Sequence, residues 1–249
     1  MALDEKLIEI TNQFPSFTLN EDLFLFDRRD TKYLFLFKDL YKILDILKGH
    51  YYILKVNGKN FSHYKTTYFD TGNNDLYKAH HNGKLNRYKV RVRNYLDSML
   101  IYLEVKFKSN KRRTIKKRIL TEDKSHFSEE DALFLNSAIP YDPHDLSPSL
   151  MTEYVRLTLI NFDHLEKVTI DFNLRFRHLK NDKETKMPKI GIIEVKNERG
   201  RNHSLFSKIV NDDLIHYKRV SKYCLGMSLL DEHVKKNLYK PKLLFIDNM

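Results

Sequence analysis

Four cations alternate through RYKVRVRNY: Arg87, Lys89, Arg91 and Arg93 are separated by Tyr88, Val90 and Val92. Alternate side chains of a β-strand point to opposite faces, so all four share one face. Like charges in that arrangement repel one another, and a folded core does nothing to offset it. The pattern recurs. Glu104, Lys106 and Lys108 oppose Leu103, Val105 and Phe107, while Arg112, Thr114, Lys116 and Arg118 oppose Ile115 and Ile119. Asp171, Asn173, Arg175 and Arg177 oppose Ile170, Phe172 and Leu174; Arg156 and Thr158 oppose Val155 and Leu157; Glu194 and Lys196 oppose Ile193 and Val195. Arginine grips phosphate oxygens in bidentate fashion and lysine acts as a point charge, so such faces suit a polyanion.

The elements that position these residues are mostly strands. Period-two stretches fall at 24–35, 51–56, 60–69, 85–95, 99–108, 112–120, 152–162, 167–177 and 190–196, with hairpin turns at 57–59 and 96–98. Helices are expected over 3–12, 38–48, 128–137 and 203–219, the third opening on an acidic cluster, Glu129 to Asp131. The segments 137–149 and 178–189 read as long surface loops. One solvated face is ordinary for an antiparallel sheet. A solvated face, however, mixes Ser, Thr, Gln and Glu with Lys, whereas these six faces are mostly Arg and Lys with isolated carboxylates. The expectation is an α+β fold: an antiparallel, closed β-barrel with a charged lumen and helices outside. A polyanion, metal or water in the lumen offsets the repulsion. A single domain spans 1–249, with an N-terminal helix over about 1–20, the barrel over about 23–200 and a C-terminal helical segment over about 203–240.

Composition agrees with a polyanionic partner. The 249 residues carry 44 Lys plus Arg against 33 Asp plus Glu, a formal net charge of +11. One cysteine, Cys224, excludes an intramolecular disulfide and a Cys-based zinc site. The N-terminus lacks the apolar core of a signal peptide and the longest apolar runs, such as YLFLF, are too short to span a bilayer, so a cytoplasmic protein is expected. Strands whose cations sit beside carboxylates disfavour a nucleic-acid surface, which presents an exposed patch with stacking aromatics. No G-x-x-x-x-G-K-[ST] loop occurs, so side chains must hold any nucleotide.

In order, RRDTKY (28–33), YKTTYFDT (64–71), HHNGKLNRYKVRVRNYLDS (80–98), LEVKFKSNKRRTIKKR (103–118), VTIDFNLRF (168–176), IIEVK (192–196) and SKYCLG (221–226) resemble the VTC domain. This is the polyphosphate polymerase domain of the vacuolar transporter chaperone complex, and the resemblance covers roughly residues 24–240. The family belongs to the triphosphate tunnel metalloenzymes, related to the CYTH group. The resemblance implies a tunnel that binds a triphosphate and a divalent metal, Mn2+ or Mg2+.

Residue by residue, it implies catalytic roles for Lys32, Arg91, Arg93, Lys106, Arg156 and Lys222. Phosphate contacts are expected from Arg28, Arg87, Lys89, Lys108, Lys116, Arg118, Arg175 and Lys196. The family's metal-binding glutamate falls on Glu194, with Glu104 and Asp171 as alternatives. Where some members carry an upstream basic residue, this chain has His80–His81. The implied partners are ATP and inorganic polyphosphate or triphosphate. The implied activity is ATP-dependent polyphosphate synthesis. A triphosphatase hydrolysing inorganic or organic triphosphate, and a non-catalytic module binding polyphosphate or nucleic acid, are the alternatives.

Overall fold

The structure, a computed structural model, describes residues 4–18, 28–111, 113–123, 126–198 and 204–248. Along the chain come α1 (Glu5–Asn12), β1 (Ser16–Phe17), β2 (Arg28–Leu36), α2 (Leu40–Leu47), β3 (Tyr52–Leu54), β4 (Phe61–Thr71), α3 (Asp75–His81), β5 (Arg87–Tyr95), β6 (Leu100–Lys108) and β7 (Thr114–Leu120). Then follow α4 (Glu129–Ala138), β8 (Leu146–Asn161), β9 (Glu166–His178), β10 (Glu184–Met187), β11 (Ile190–Glu198), α5 (Leu205–Ile209), β12 (His216–Lys218), α6 (Lys222–Leu230) and α7 (Lys240–Asp247). Contacts group the chain into two compact units.

The first unit comprises Met1–His63, Tyr154–Leu174 and Met187–Val220. Its strands pair in the order β12-β2-β11-β9-β8, with β3 also on β8 and β1 parallel to β3. One face of this sheet carries the apolar core: Tyr33 and Phe35, Ile193 and Val195, Ile170 and Phe172, Leu157 and Leu159 are buried in one cluster. Helix α2 covers it. Leu40, Ile43, Leu44 and Leu47 recur at helical spacing and are all fully buried, each contributing about 1.5–3 kcal/mol as an upper bound. Gly191 is required by close packing, because a Cβ there would lie 2.3 Å from the Phe35 ring and 2.7 Å from the Asp171 carbonyl oxygen.

The second unit comprises Tyr64–Glu153, Arg175–Lys186 and Ser221–Met249. Here β4, β5, β6 and β7 form an antiparallel meander. Phe69, Val90, Val92, Leu103 and Val105 bury the apolar face against Leu76 of α3 and Leu135 of α4. The acidic start of α4 is a capping box, in which Ser128 and Asp131 satisfy each other's backbone N–H.

The α+β class and the antiparallel sheet agree with expectation, as do the helices near 3–12, 38–48 and 128–137. Residues 24–27 of the first expected strand, and Arg112, lie outside the described residues.

Three expectations are corrected. The helix over 203–219 is instead the short α5, a 3-10 turn and strand β12; Asn211, Asp212 and Asp213, all weak helix formers, follow directly after α5 and its C-cap Val210. The loop at 137–149 gives way to β8 from Leu146, which accommodates Pro148 close to its start. The loop at 178–189 contains β10, whose polar sequence carries no strand signal and which pairs only with β9.

Candidate functional site

In the second unit, strand register arranges the alternating cations in rows. Arg87 lies opposite Lys108, which lies opposite Thr114; the next row is Lys89, Lys106 and Lys116; the next is Arg91, Glu104 and Arg118. Glu104 is the centre of this face and is 0% exposed. Its Oε2 accepts from Arg91 at 2.8 Å from Nε and 2.6 Å from Nη2, with Arg93 Nη1 at 3.8 Å. Lys116 donates to Oε1. Burial pushes the Glu104 carboxyl up, but Arg91, Arg93 and Lys116 outweigh it and hold the group well below the usual carboxylate range. For Lys116, burial wins over the pull of Glu104 and brings the ammonium down to about 8. One buried carboxylate thus gathers three cations and leaves the face positively charged.

Two neighbouring contacts organise the edge of this face. Arg87 Nε donates to His80 Nδ1 at 3.1 Å, so His80 Nε2 carries the proton it directs to the Tyr88 carbonyl at 3.0 Å. Burial, with Lys89 and Arg87 nearby, lowers the His80 pKa far below its usual value, so the ring stays neutral and orients Arg87. Helix α6, which begins at Lys222, meets the face through Lys89, whose Nζ donates to Ser221 Oγ at 2.9 Å. Tyr223 stacks on Tyr68 with ring centroids 4.9 Å apart, and its hydroxyl donates to Asp70.

Asp70 is fully buried and also accepts from the backbone N–H groups of Thr71, Leu76 and Tyr77 at 2.8 Å each. It therefore caps α3 and anchors α6, which carries Lys222. Asp70→Ala strands four buried donors and is expected to cost several times the loss of a single hydrogen bond, about 3 kcal/mol or more in urea unfolding. Tyr223→Phe removes one of them and should cost about 1–3 kcal/mol. Equal, near-zero losses would refute the anchoring role.

In the first unit, β11 lies between β2 and β9 with Glu194 opposite both Lys32 and Thr169. Lys32 donates to Glu194 Oε1, and Lys196 Nζ lies 3.2 Å from Oε2. Burial draws the Lys196 ammonium down to about 8 against the opposing pull of Glu194, with Asp30 also nearby. Arg156 grips Asp171 in a bidentate pair, Nε to Oδ1 at 2.6 Å and Nη2 to Oδ2 at 2.7 Å, and lies over the Tyr154 ring at 5.4 Å. The unit also holds a cavity of about 320 Å³, lined by His50, Tyr51, Tyr52, Phe162 and His164 among others. No residue of the charged face lines it.

The profile of the family described as VTC domain matches residues 27–231. The chain belongs to the VTC domain family. No curated protein matches it in sequence. Solved structures similar to this VTC domain are distant. A candidate adenylate cyclase from Vibrio parahaemolyticus is 12% identical, with a TM-score of 0.48, over 80% of this chain and 98% of that one. HpAC1 from Hippeastrum, whose structure is described with a dominant triphosphatase activity, is 13% identical, with a TM-score of 0.46, over 81% and 97%. The PH1819 protein from Pyrococcus horikoshii is 10% identical, with a TM-score of 0.45, over 81% and 98%.

Within each unit of the VTC domain, most of the residues singled out from sequence come together. The second unit gathers Arg87, Lys89, Arg91, Arg93, Lys106, Lys108, Lys116 and Arg118 on one face, with Lys222 at the start of α6. The first gathers Lys32, Arg156, Lys196, Glu194 and Asp171. Arg28 is placed by its backbone in β2, and its side chain lies outside the described residues. Arg175 is the departure. Asn173 takes a left-handed φ of 53° within β9, and beyond it Arg175 pairs with Glu153 at 3.2 Å and Glu184 at 2.8 Å. Asp70 was not legible as a site residue, because a lone Asp in YFDT carries no sign of the helices it holds.

Among the described residues no three His, Cys, Asp or Glu side chains gather as a metal cage. The donors nonetheless fit a hard cation held chiefly by phosphate oxygens and water, which needs one or two carboxylates. Glu194 suits that role best: its side chain is 12% exposed, and its partners are lysines able to turn toward phosphate. Asp171 is held bidentate by Arg156, and Glu104 lies buried beneath three cations. No described helix is long and apolar enough to cross a membrane.

Proposed function

We propose that this VTC domain is a metal-dependent polyphosphate polymerase that transfers the γ-phosphate of ATP to a growing polyphosphate chain. The observation that carries the reading is the Glu104 cluster. Arg91, Arg93 and Lys116 converge on one buried carboxylate on a face that also carries Arg87, Lys89, Lys106, Lys108 and Arg118, an arrangement whose excess charge a phosphate chain offsets. The reading includes the closed tunnel that the family implies, with charged faces inward, the whole chain as one functional domain, and a cytoplasmic location.

In this reading Arg91, Arg93, Lys106, Lys116 and Lys222 in the second unit, and Lys32 and Arg156 in the first, hold phosphate oxygens and neutralise their charge. Asp171 keeps Arg156 oriented, and His80 does the same for Arg87. Arg28, Lys89, Lys108, Arg118 and Lys196 extend the cationic lining; Arg175 must leave two carboxylates to join it. Glu194 would hold Mn2+ or Mg2+, which when bound neutralises charge on the phosphates. A terminal oxygen of the acceptor chain attacks the γ-phosphorus and forms a new P–O–P bond. The bond from that phosphorus to the β-phosphate oxygen breaks, and ADP leaves with its electron pair. Such a transfer asks for positioning and charge more than for a protein nucleophile.

The test is purified protein with ATP and Mn2+ or Mg2+, with and without a short polyphosphate primer. ADP rising in step with a gel-resolved phosphate ladder is the expected result. ADP with free phosphate and no ladder makes the protein a triphosphatase or nucleotidase. Neither product, despite tight polyphosphate binding, leaves a binding module.

A pH dependence follows from the two buried lysines. Lys116 and Lys196 titrate near 8 rather than at the ordinary 10.5, so their charge is present at pH 7 and lost as pH rises. Triphosphate affinity is expected to fall by about tenfold from pH 7 to pH 9. Calorimetry on Lys116→Arg and Lys196→Arg, which stay charged, should show a flatter profile. A flat wild-type profile would contradict the assignment.

A further inference from the structure

The basic face of the second unit changes character along its strands. Beyond the row of Arg91, Glu104 and Arg118 comes Thr66, Arg93, Tyr102 and Leu120, and beyond that Tyr64, Tyr95 and Leu100. Tyr64 and Tyr95 meet edge to face with centroids 5.0 Å apart, and Tyr95 and Tyr102 likewise at 5.8 Å. All three are half-buried, so each keeps part of its surface open to solvent. Leu100 and Leu120 beside them are exposed, at 44% and 62%. The guanidinium of Arg93 lies 5.6 Å from the Tyr64 ring centroid and that of Arg118 lies 4.4 Å from Tyr102. Tyr95 Oη reaches Glu104 Oε1 at 3.5 Å, which ties the aromatic end to the cation cluster.

An inorganic phosphate chain has no use for three tyrosine rings and two exposed leucines at one end of its binding face. A planar, apolar-faced group does, because every nucleobase stacks on aromatic side chains and on guanidinium planes. We propose that Tyr64, Tyr95 and Tyr102 form a stacking subsite for the base of a nucleoside triphosphate, with Arg93 and Arg118 at the junction of base and phosphates. Tyr95 lies about 13 Å along the strand from Arg91, a span comparable with an extended nucleotide. The inference rests on the reading of this face as triphosphate-binding, and it makes the ligand a nucleotide rather than an inorganic triphosphate.

The test is calorimetry on the full chain in Mg2+, with ATP and inorganic triphosphate as parallel ligands. Tyr95→Leu and Tyr102→Leu are expected to weaken ATP by about tenfold and to leave triphosphate within about twofold. Tyr95→Phe and Tyr102→Phe, which keep the ring, should bind both ligands as the wild type does. Equal losses for the two ligands, or none for ATP, would overturn the subsite while leaving the basic face standing. If the wild type binds neither ligand, the reading of the face falls and the subsite with it. A measurement on the wild type guards against variants that fail to fold: NMR saturation transfer from tyrosine ring protons to the adenine protons of bound ATP. Its absence at saturating ATP would also overturn the proposal.

Discussion

Glu104→Ala is expected to destabilise the protein by about 3–5 kcal/mol, the range for removing one partner from a buried ionic cluster. The carboxylate is 0% exposed and answers Arg91, Arg93 and Lys116, so its loss leaves three cations facing one another with no anion among them. Glu104→Gln separates charge from shape, and its effect should depend on pH. The folded-state pKa of Glu104 lies below the ordinary 4.5, so the stabilisation is present above that value and is lost as pH falls through it toward the folded-state pKa. Urea melts should therefore show a full gap between wild type and Glu104→Gln at pH 7 that narrows below about 4.5. A gap independent of pH would mean that the carboxyl is not ionised in the fold. Inorganic triphosphate should recover part of the loss in Glu104→Ala, because a bound anion supplies the missing charge.

Arg91→Ala and Glu194→Gln are expected to lower kcat/KM for ADP release by about 10²–10³, the scale for losing one preorganised charge at a reacting centre. The two differ in how the loss divides. Arg91 donates two N–H groups to the buried Glu104 and can turn others toward phosphate; without it the substrate is both less tightly held and less well neutralised, so KM rises and kcat falls. Glu194 meets Lys32 and Lys196 and would hold the cation, so its amide should lower kcat most and shift the Mn2+ or Mg2+ requirement upward. Arg91→Lys keeps the charge but not the fork, and should recover less than half of the lost activity. Activity within twofold of wild type in either variant would remove that residue from the reacting centre.

Much of this was legible in the chain before any fold was known. The row of Arg87, Lys89, Arg91 and Arg93 and the opposite row of Val90 and Val92 follow from covalent geometry alone, because successive side chains of a strand diverge whatever the strand pairs with. The same holds for the apolar stripe of α2, which returns every three or four residues. The net charge of +11 and the missing phosphate-binding loop restrict the partner and the way it is held. Short, polar or capped-from-afar elements were not legible. Nothing in ETKM marks β10 as a strand, and α3 owes its N-terminal cap to Asp70 on the preceding strand.

Register decided the rest. That Glu104 sits between Arg91 and Arg118, that Glu194 answers Lys32 across 162 positions, and that the tyrosines of β4, β5 and β6 collect at one end of the basic face depend on which residues the ladders set side by side. A one-residue slip would turn each of these side chains to the opposite face. The sequence by itself determined which side chains share a face, because that is a local property of the backbone. Which charges meet, and so which pKa values move, was decided only by the tertiary structure, because those contacts depend on which strands pair and in what register.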